Sequence, residues 1–283
     1  MTYGFYPGCS YKTEAVFRES VEAVNRAIGL ELVTIEDWNC CGATSIFSMD
    51  QTEALLLTGR IFALANRQNL DNIVTTCNAC YTSLKKCYKT LKSDRDLISK
   101  INDRLAAENL KITNLLPVRH LLDVLYYDID AAVWNRNRPK NLNKLKVAAY
   151  YGCQLTRPWA DIDDPEQPVI MERFLERLGY ETVDHSAKTL CCGASHFIIY
   201  EEDCLKLTER IINEMKRKGA RLASTICPLC QINLDAAQKN FRGMPIPVPY
   251  FTQLAGLALG IDPNELGIKK LLVSMDYELK QIL

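Results

Sequence analysis

Ten of the twelve cysteines in this 283-residue chain fall into two sets of the same pattern. The first set is Cys9, the adjacent pair Cys40-Cys41, and Cys77 with Cys80; the second is Cys153, Cys191-Cys192, and Cys227 with Cys230. Corresponding members are offset by 144, 151, 151, 150 and 150 residues. The neighbourhoods agree as well. Tyr6-Pro7-Gly8-Cys9 answers Tyr150-Tyr151-Gly152-Cys153, Cys40-Cys41-Gly42-Ala43 answers Cys191-Cys192-Gly193-Ala194, and Cys77-Asn78-Ala79-Cys80 answers Cys227-Pro228-Leu229-Cys230. Thiolates are soft ligands that select iron–sulfur centres, zinc or copper(I) over hard ions. A lone C-x-x-C fits a redox disulfide or half a zinc site equally well, but five cysteines repeated in register argue for a metal centre. Structural zinc takes four ligands and iron–sulfur clusters usually take four cysteines. A fifth cysteine and an adjacent pair therefore point to a larger or less symmetrical centre. Gly42 and Gly193 permit the sharp turn that lets both members of a pair reach it.

The remaining candidates are few. Cys87 and Cys204 have no counterpart in the other half and are expected to be small buried apolar residues. With only three histidines, a Cys/His zinc enzyme is short of ligands. His120 is expected on a packed helix and His185 in a surface loop, while His196, four residues after Cys192, is a candidate catalytic residue. Tyr6, Tyr150 and Tyr151 are placed to pack, to shield a centre from water or to donate a proton. The chain has neither a G-x-G-x-x-G dinucleotide fingerprint nor a ferredoxin-type C-x2-C-x2-C-x3-C-P run, so electrons must come from a partner.

These residues need elements to hold them. A fixed period of this length means a duplicated domain. Residues 135–144, NRNRPKNLNK, read as a linker and place the domains at 1–138 and 139–283. In the first half, strands are expected at 2–6, 32–35 and 72–76. Helices are expected at 13–28, on a stripe of Val16, Phe17, Val21, Val24 and Ile28 stopped by Gly29, and from Asp50 towards Asn69, with Glu53 completing a capping box. The second half repeats this with strands at 146–150 and 223–226 and a helix at 169–178 before Gly179. Strands alternating with helices give an α/β fold of two pseudo-twofold-related βαβ-type domains with mostly parallel sheets. Cys9, Cys77, Cys153 and Cys227 then stand at strand C-terminal ends, where α/β sheets bind ligands. Helix N-termini beside Cys80 and Cys230 would turn N–H groups towards anionic sulfur.

Composition narrows the function class. Lys+Arg and Asp+Glu are 34 each, so net charge is zero and a broad nucleic-acid-binding face is not expected. No run approaches the ~18 apolar residues of a membrane span. The opening MTYGFYPGCS is no secretory signal, and twelve cysteines without export suit a reducing, cytoplasmic setting.

The pattern of Cys, Cys-Cys-Gly and C-x-x-C, with the segments YGCQL, LCCGAS, TICPLCQINLD and CNACYTSL, resembles the cysteine-rich CCG domain. Two copies without an attached ferredoxin module resemble the B-type subunit of heterodisulfide reductase across nearly the whole chain. The resemblance implies two noncubane [4Fe–4S] clusters. Cys9, Cys40, Cys41, Cys77 and Cys80 would hold one, and Cys153, Cys191, Cys192, Cys227 and Cys230 the other. It implies reductive cleavage of a small disulfide, or its formation in reverse, with one electron from each cluster and catalytic weight on Cys40, Cys41, Cys191 and Cys192. Electrons would come from a ferredoxin-like iron–sulfur subunit of the C type, fed by a flavin subunit of the A type. Two departures bear on the substrate. Gln154 stands where methanogen members carry a histidine proton donor, and GATSIFS after the first Cys pair lacks their proline. An alternative follows from two-copy CCG proteins of succinate dehydrogenase-like complexes: an electron-transfer or anchoring subunit with one cluster and one zinc. Its only apolar candidate face, FTQLAGLAL at 251–259, reads rather as a buried helix. A metal-free dithiol oxidoreductase using CNAC and CPLC leaves three cysteines per half without a role.

Overall fold

The computed structural model describes residues 3–13, 15–43, 45–241 and 243–282, with only the backbone described at 15 and 16. Thr2 and the Val16 side chain, both part of the expected pattern, lie outside the described residues. The fold is α/β with only parallel strand pairs, in one sheet of four strands and one of three.

Along the first half run β1 (Tyr3–Tyr6), α1 (Gly8–Thr13), α2 (Ala15–Ile28), β2 (Leu32–Thr34), α3 (Ile46–Met49), α4 (Gln51–Arg67), β3 (Asn72–Thr75), α5 (Asn78–Ser93), α6 (Arg95–Leu105), β4 (Val118–His120) and α7 (Leu121–Tyr127). The second half contains β5 (Lys146–Tyr150), α8 (Ile170–Leu178), β6 (Glu181–Val183), α9 (Glu201–Arg217), β7 (Leu222–Thr225), α10 (Pro228–Ala237), α11 (Phe251–Ala258) and α12 (Asp276–Ile282). The strand orders are β2-β1-β3-β4 and β6-β5-β7. The first strand of each half is therefore central, and the strand leading to C-x-x-C lies beside it. Every residue of β3 and β7 is buried, as parallel strands covered on both faces require.

Local chemistry explains the element ends. Asp50 caps α4 by accepting the Thr52 and Glu53 N–H groups, while the Glu53 side chain pairs with Arg104 instead of closing a capping box. Gly29 and Gly179, at φ +70° and +101°, stop α2 and α8 where a left-handed residue is needed. The expected helix over 13–28 is α2, from Ala15 to Ile28; α1, which precedes it and carries Cys9, is an addition to the expected pattern.

Packing divides the chain into two compact units: residues 1–13 with 31–124, and residues 14–30 with 125–283. The sequence repeat, by contrast, divides it near 138. In the second unit α2 lies along α11, with the Phe17 and Tyr250 rings 5.0 Å apart and the Ser20 and Thr252 hydroxyls 2.5 Å apart. Helix α11 is buried along its whole length, as expected for FTQLAGLAL.

Two histidine expectations are corrected. His120 ends strand β4, fully buried, and its Nδ1 accepts the Leu122 N–H, so the helix begins only at Leu121. His185 is not at the surface: it is 2% exposed, with Nε2 2.9 Å from the Ala149 carbonyl of β5. Each is held in the core by a neighbouring strand: His120 pairs with Thr75 of β3, and His185 bonds β5.

Candidate metal centres

The two halves build their sites alike, except that Cys9 lies in α1 and Cys153 in a loop after β5. Strand β1 delivers the chain to Gly8, whose φ of +70° turns it into α1 and sets Cys9 just past the strand end. A Cβ on Gly8 would lie 2.9 Å from Cys80 Sγ, so only glycine lets this backbone pass against that thiol. Strand β3 ends at Cys77, which stands in extended conformation as the residue before α5 and whose carbonyl accepts the Tyr81 N–H. Cys80 lies one turn inside the helix. Cys227 and Cys230 stand identically at the start of α10, where Pro228 occupies the first helical position, which lacks an intrahelical N–H partner anyway. Gly42 and Gly193, at φ +69° and +78°, turn the chain immediately after each adjacent pair.

The five thiols of each site come together. Cys41 Sγ lies 3.4 Å from Cys80 Sγ, and Cys192 Sγ 3.4 Å from Cys230 Sγ. Cys41, Cys77, Cys80, Cys192, Cys227 and Cys230 are buried, Cys153 is half-buried, and Cys9, Cys40 and Cys191 are exposed; none of them forms a disulfide among the described residues. Each site thus has a closed side and an open side.

The protons are shared unevenly. Hydrogen bonds from Cys40 and Cys80 push Cys41 down to about 3, and the same bonds hold the protons on Cys40 and Cys80, driving both upward. In the second site a hydrogen bond from Cys153 lowers Cys191 to about 6, helped by the Gly193 N–H at 3.3 Å and the His196 charge; Cys153 rises in return. A hydrogen bond from Cys230 lowers Cys192 and raises Cys230. Each site therefore carries preformed thiolate at neutral pH, the form that binds metal.

Tyr6 and Tyr150 support both sites equivalently. Burial first, and the nearby thiolates second, raise both phenols far above their ordinary value, so they stay neutral. Their hydroxyls donate to Asn39 O at 2.8 Å and Leu190 O at 2.6 Å, the carbonyls just before each adjacent pair.

Among the described residues, no three His, Cys, Asp or Glu side chains close tightly about a single point. The donors are grouped in pairs over a wider space. Five thiols, preformed thiolates and a glycine cradle against Cys80 fit a soft polynuclear group.

The sequence-predicted ligands all come together, five in each half. His196 is brought to the second site by its charge on Cys191, while His120 and His185 belong to the core. Cys87 and Cys204 are buried as expected, but Cys204 donates to Gly193 O at 3.3 Å and so touches the turn after Cys192. Sequence reasoning missed Asn233, whose side chain donates to Cys192 O at 2.6 Å, and Ser83, which hydrogen-bonds Cys41. The signal was available: both are polar residues three places after the last cysteine of C-x-x-C, on the same helix face.

The model of the cysteine-rich domain CCG matches residues 3–85 and 147–235, one copy per site. The chain belongs to this family, together with the B-type subunits of heterodisulfide reductases. It is 34% identical to the 8-methylmenaquinol:fumarate reductase membrane anchor subunit of Wolinella succinogenes, covering 94% of this chain and 95% of that one. It is 31% identical to the B-type subunit of the ferredoxin:CoB-CoM heterodisulfide reductase of Methanosarcina mazei, over 82% and 80% of the two chains. A Helicobacter pylori hypothetical protein shares the fold, with a TM-score of 0.75 at 12% identity, over 96% of this chain and 52% of that one. Membership of the CCG family implies iron–sulfur clusters and an oxidoreductase-associated subunit. Among the described residues no helix is long and apolar enough to cross a membrane.

Proposed function

We propose that this chain is the catalytic subunit of a heterodisulfide reductase-like complex that reduces a small disulfide, or forms it in reverse. The observation that carries this reading is the presence of two complete five-thiol sites at corresponding strand ends. Cleaving a disulfide takes two electrons and two protons and yields two thiols, and two like sites account for one electron each. Cys9, Cys40, Cys41, Cys77 and Cys80 would hold one noncubane [4Fe–4S] cluster, and Cys153, Cys191, Cys192, Cys227 and Cys230 the other. Such a cluster supplies one-electron redox chemistry.

The chain's own residues do the rest. The buried cysteines and neutral tyrosines close the inner side of each site to water. The open sides, at Cys9 and Cys40 and at Cys153 and Cys191, admit substrate. His196, exposed beside Cys191, is the proton source where Gln154 cannot serve. Electrons enter from a ferredoxin-like subunit fed by a flavin subunit, in the cytoplasm, where the twelve cysteines stay reduced.

The Wolinella relative, by its name a membrane anchor subunit of a fumarate reductase, supports a second reading: an electron-transfer or anchoring subunit of a succinate dehydrogenase-like complex, with one cluster and one zinc. Iron, acid-labile sulfide and zinc per chain, measured on anaerobically purified complex, separate the two. About eight iron and eight sulfide, with disulfide-dependent oxidation of reduced viologen, supports the first reading. About four iron with one zinc, and fumarate-dependent oxidation instead, overturns it in favour of the second.

A further inference from the structure

The second site has a buried device that the first cannot have. Lys188 lies in the segment leading to Cys191 and is 4% exposed. Its Nζ is 2.7 Å from Glu172 Oε1, 3.0 Å from Asp184 Oδ1 and 3.3 Å from Pro168 O. Its own carbonyl accepts two N–H groups, from Tyr151 at 3.0 Å and Gly152 at 3.1 Å, the two residues immediately before Cys153. The Tyr151 hydroxyl in turn donates to Glu172 Oε2 and accepts the Met171 N–H. Lys188 is thus tied through its backbone to the loop that carries Cys153, through its side chain to α8, and through the chain itself to Cys191 and Cys192.

Burial opposes the ammonium, yet Glu172 and Asp184 hold Lys188 above the ordinary lysine value, while burial raises Glu172 as well. A buried lysine is costly unless each of its donors is matched. Here three acceptors surround it. In the first half Pro7 stands at the place of Tyr151 and offers neither an N–H nor a hydroxyl, and Asp37 stands at the place of Lys188. Asp37 faces outward to Arg60.

We propose that Lys188 is a positioning residue of the second site, which locks the Cys153 loop and the Cys191-Cys192 loop together through Glu172 and Tyr151 so that their thiols meet one metal centre. This rests on the reading that the five cysteines hold such a centre. Partners behind metal ligands orient those ligands and tune the metal.

The test uses the full chain, purified anaerobically, as parent, Lys188→Met, and Lys188→Met with Glu172→Met. Removing the lysine alone strands a buried carboxylate, whereas removing both replaces the pair by apolar volume. Two local readouts are followed with the melting temperature: amide exchange at Tyr151 and Gly152, and peptide-resolved alkylation of the cysteines, which metal binding suppresses. Lys188→Met is expected to speed exchange and to raise alkylation of Cys153, Cys191 and Cys192 about tenfold or more, with Cys9, Cys40 and Cys41 as in the parent. The double variant is expected to recover the melting temperature without recovering either local signal. Parent-like exchange and alkylation in the single variant would overturn the proposal. So would their full recovery in the double variant, or an equal rise at both sites. A parent chain whose cysteines are unprotected at both sites sinks the metal reading instead, and amide exchange then still decides whether Lys188 locks the loops.

Discussion

The two cysteine sites share ligands, strand ends and glycine turns, but differ in how the adjacent pair is served. In both, the second member meets the last cysteine of C-x-x-C, Cys41 with Cys80 and Cys192 with Cys230. The first member differs: Cys40 bonds its own neighbour Cys41, whereas Cys191 bonds Cys153, across two segments of the chain. The supporting shells differ too. Behind the first site stand the buried Ser83 and Tyr6 and, nearer the surface, Arg60, which bonds Asp37 and the Asn39 amide oxygen, and Lys12 over the Trp38 ring. Behind the second the buried set is larger and includes a charged pair: Lys188, Glu172, Tyr151, Asn233 and Cys204. Duplication therefore preserved the chemistry of the donor set and let the framework behind it diverge. Soft-metal binding constrains the thiols directly, whereas many different hydrogen-bonding shells can hold the same thiols in place.

The largest expected effect tests whether the two sites act together. Replacing Cys40 and Cys41, or Cys191 and Cys192, by serine is expected to abolish disulfide turnover by the complex and to remove about half the iron. Viologen-coupled turnover and metal analysis read this, and retained activity after losing either pair would break the idea of two equivalent redox sites.

The next effect is kinetic and sharpens the contrast between the adjacent pairs. In metal-free chain both Cys40 and Cys191 are exposed, but Cys40 is shifted up and Cys191 down to about 6. Thiolate is the nucleophile, so Cys191 labelling should rise as pH passes about 6 and then level off, while Cys40 stays slow into the alkaline range. At pH 7 Cys191 should label roughly tenfold or more ahead of Cys40. Timed iodoacetamide labelling with peptide mass spectrometry checks it, and equal rates would remove the electrostatic difference between the sites.

Backbone and hydrogen-bond substitutions come next. Gly8→Ala places a Cβ 2.9 Å from Cys80 Sγ at φ +70°, and should cost about 1–3 kcal/mol and lower the metal content of the first site. Asn233→Ala leaves the buried Cys192 carbonyl without its 2.6 Å donor, for about 1–3 kcal/mol at the second site alone. Calorimetry with metal analysis separates the two, and a loss confined to the opposite site in either variant would contradict the assignment.

The smallest effect concerns the helices behind the pairs. Helix α4 is capped by the Asp50 side chain, while Tyr200 before α9 makes no side-chain cap. Asp50→Ala should cost about 1 kcal/mol, and Tyr200→Ala nothing through capping. Thermal melts of the two variants measure the difference.

The sequence alone determined the two matching cysteine sets and the architecture that bears them. Both follow from short-range rules: cysteine spacing repeated at a constant offset, hydrophobic runs ending at cysteines, and glycines where the chain must turn left-handed. The same local logic found the Asp50 cap and the buried helix at 251–258. It packed His120 correctly but on a helix rather than on β4, and it missed the burial of His185, because whether an isolated histidine is buried depends on which distant strand passes over it. It also treated Cys204 as inert, since its contact with Gly193 joins residues eleven apart through a turn. Only the tertiary structure decided which thiols are lowered and which are raised, that α2 packs with the second unit, and that Lys188 bonds the backbone of the Cys153 loop. Those outcomes depend on burial and on contacts between remote segments, where a few tenths of an ångström and the loss of water set the energy, and no spacing rule along the chain encodes them.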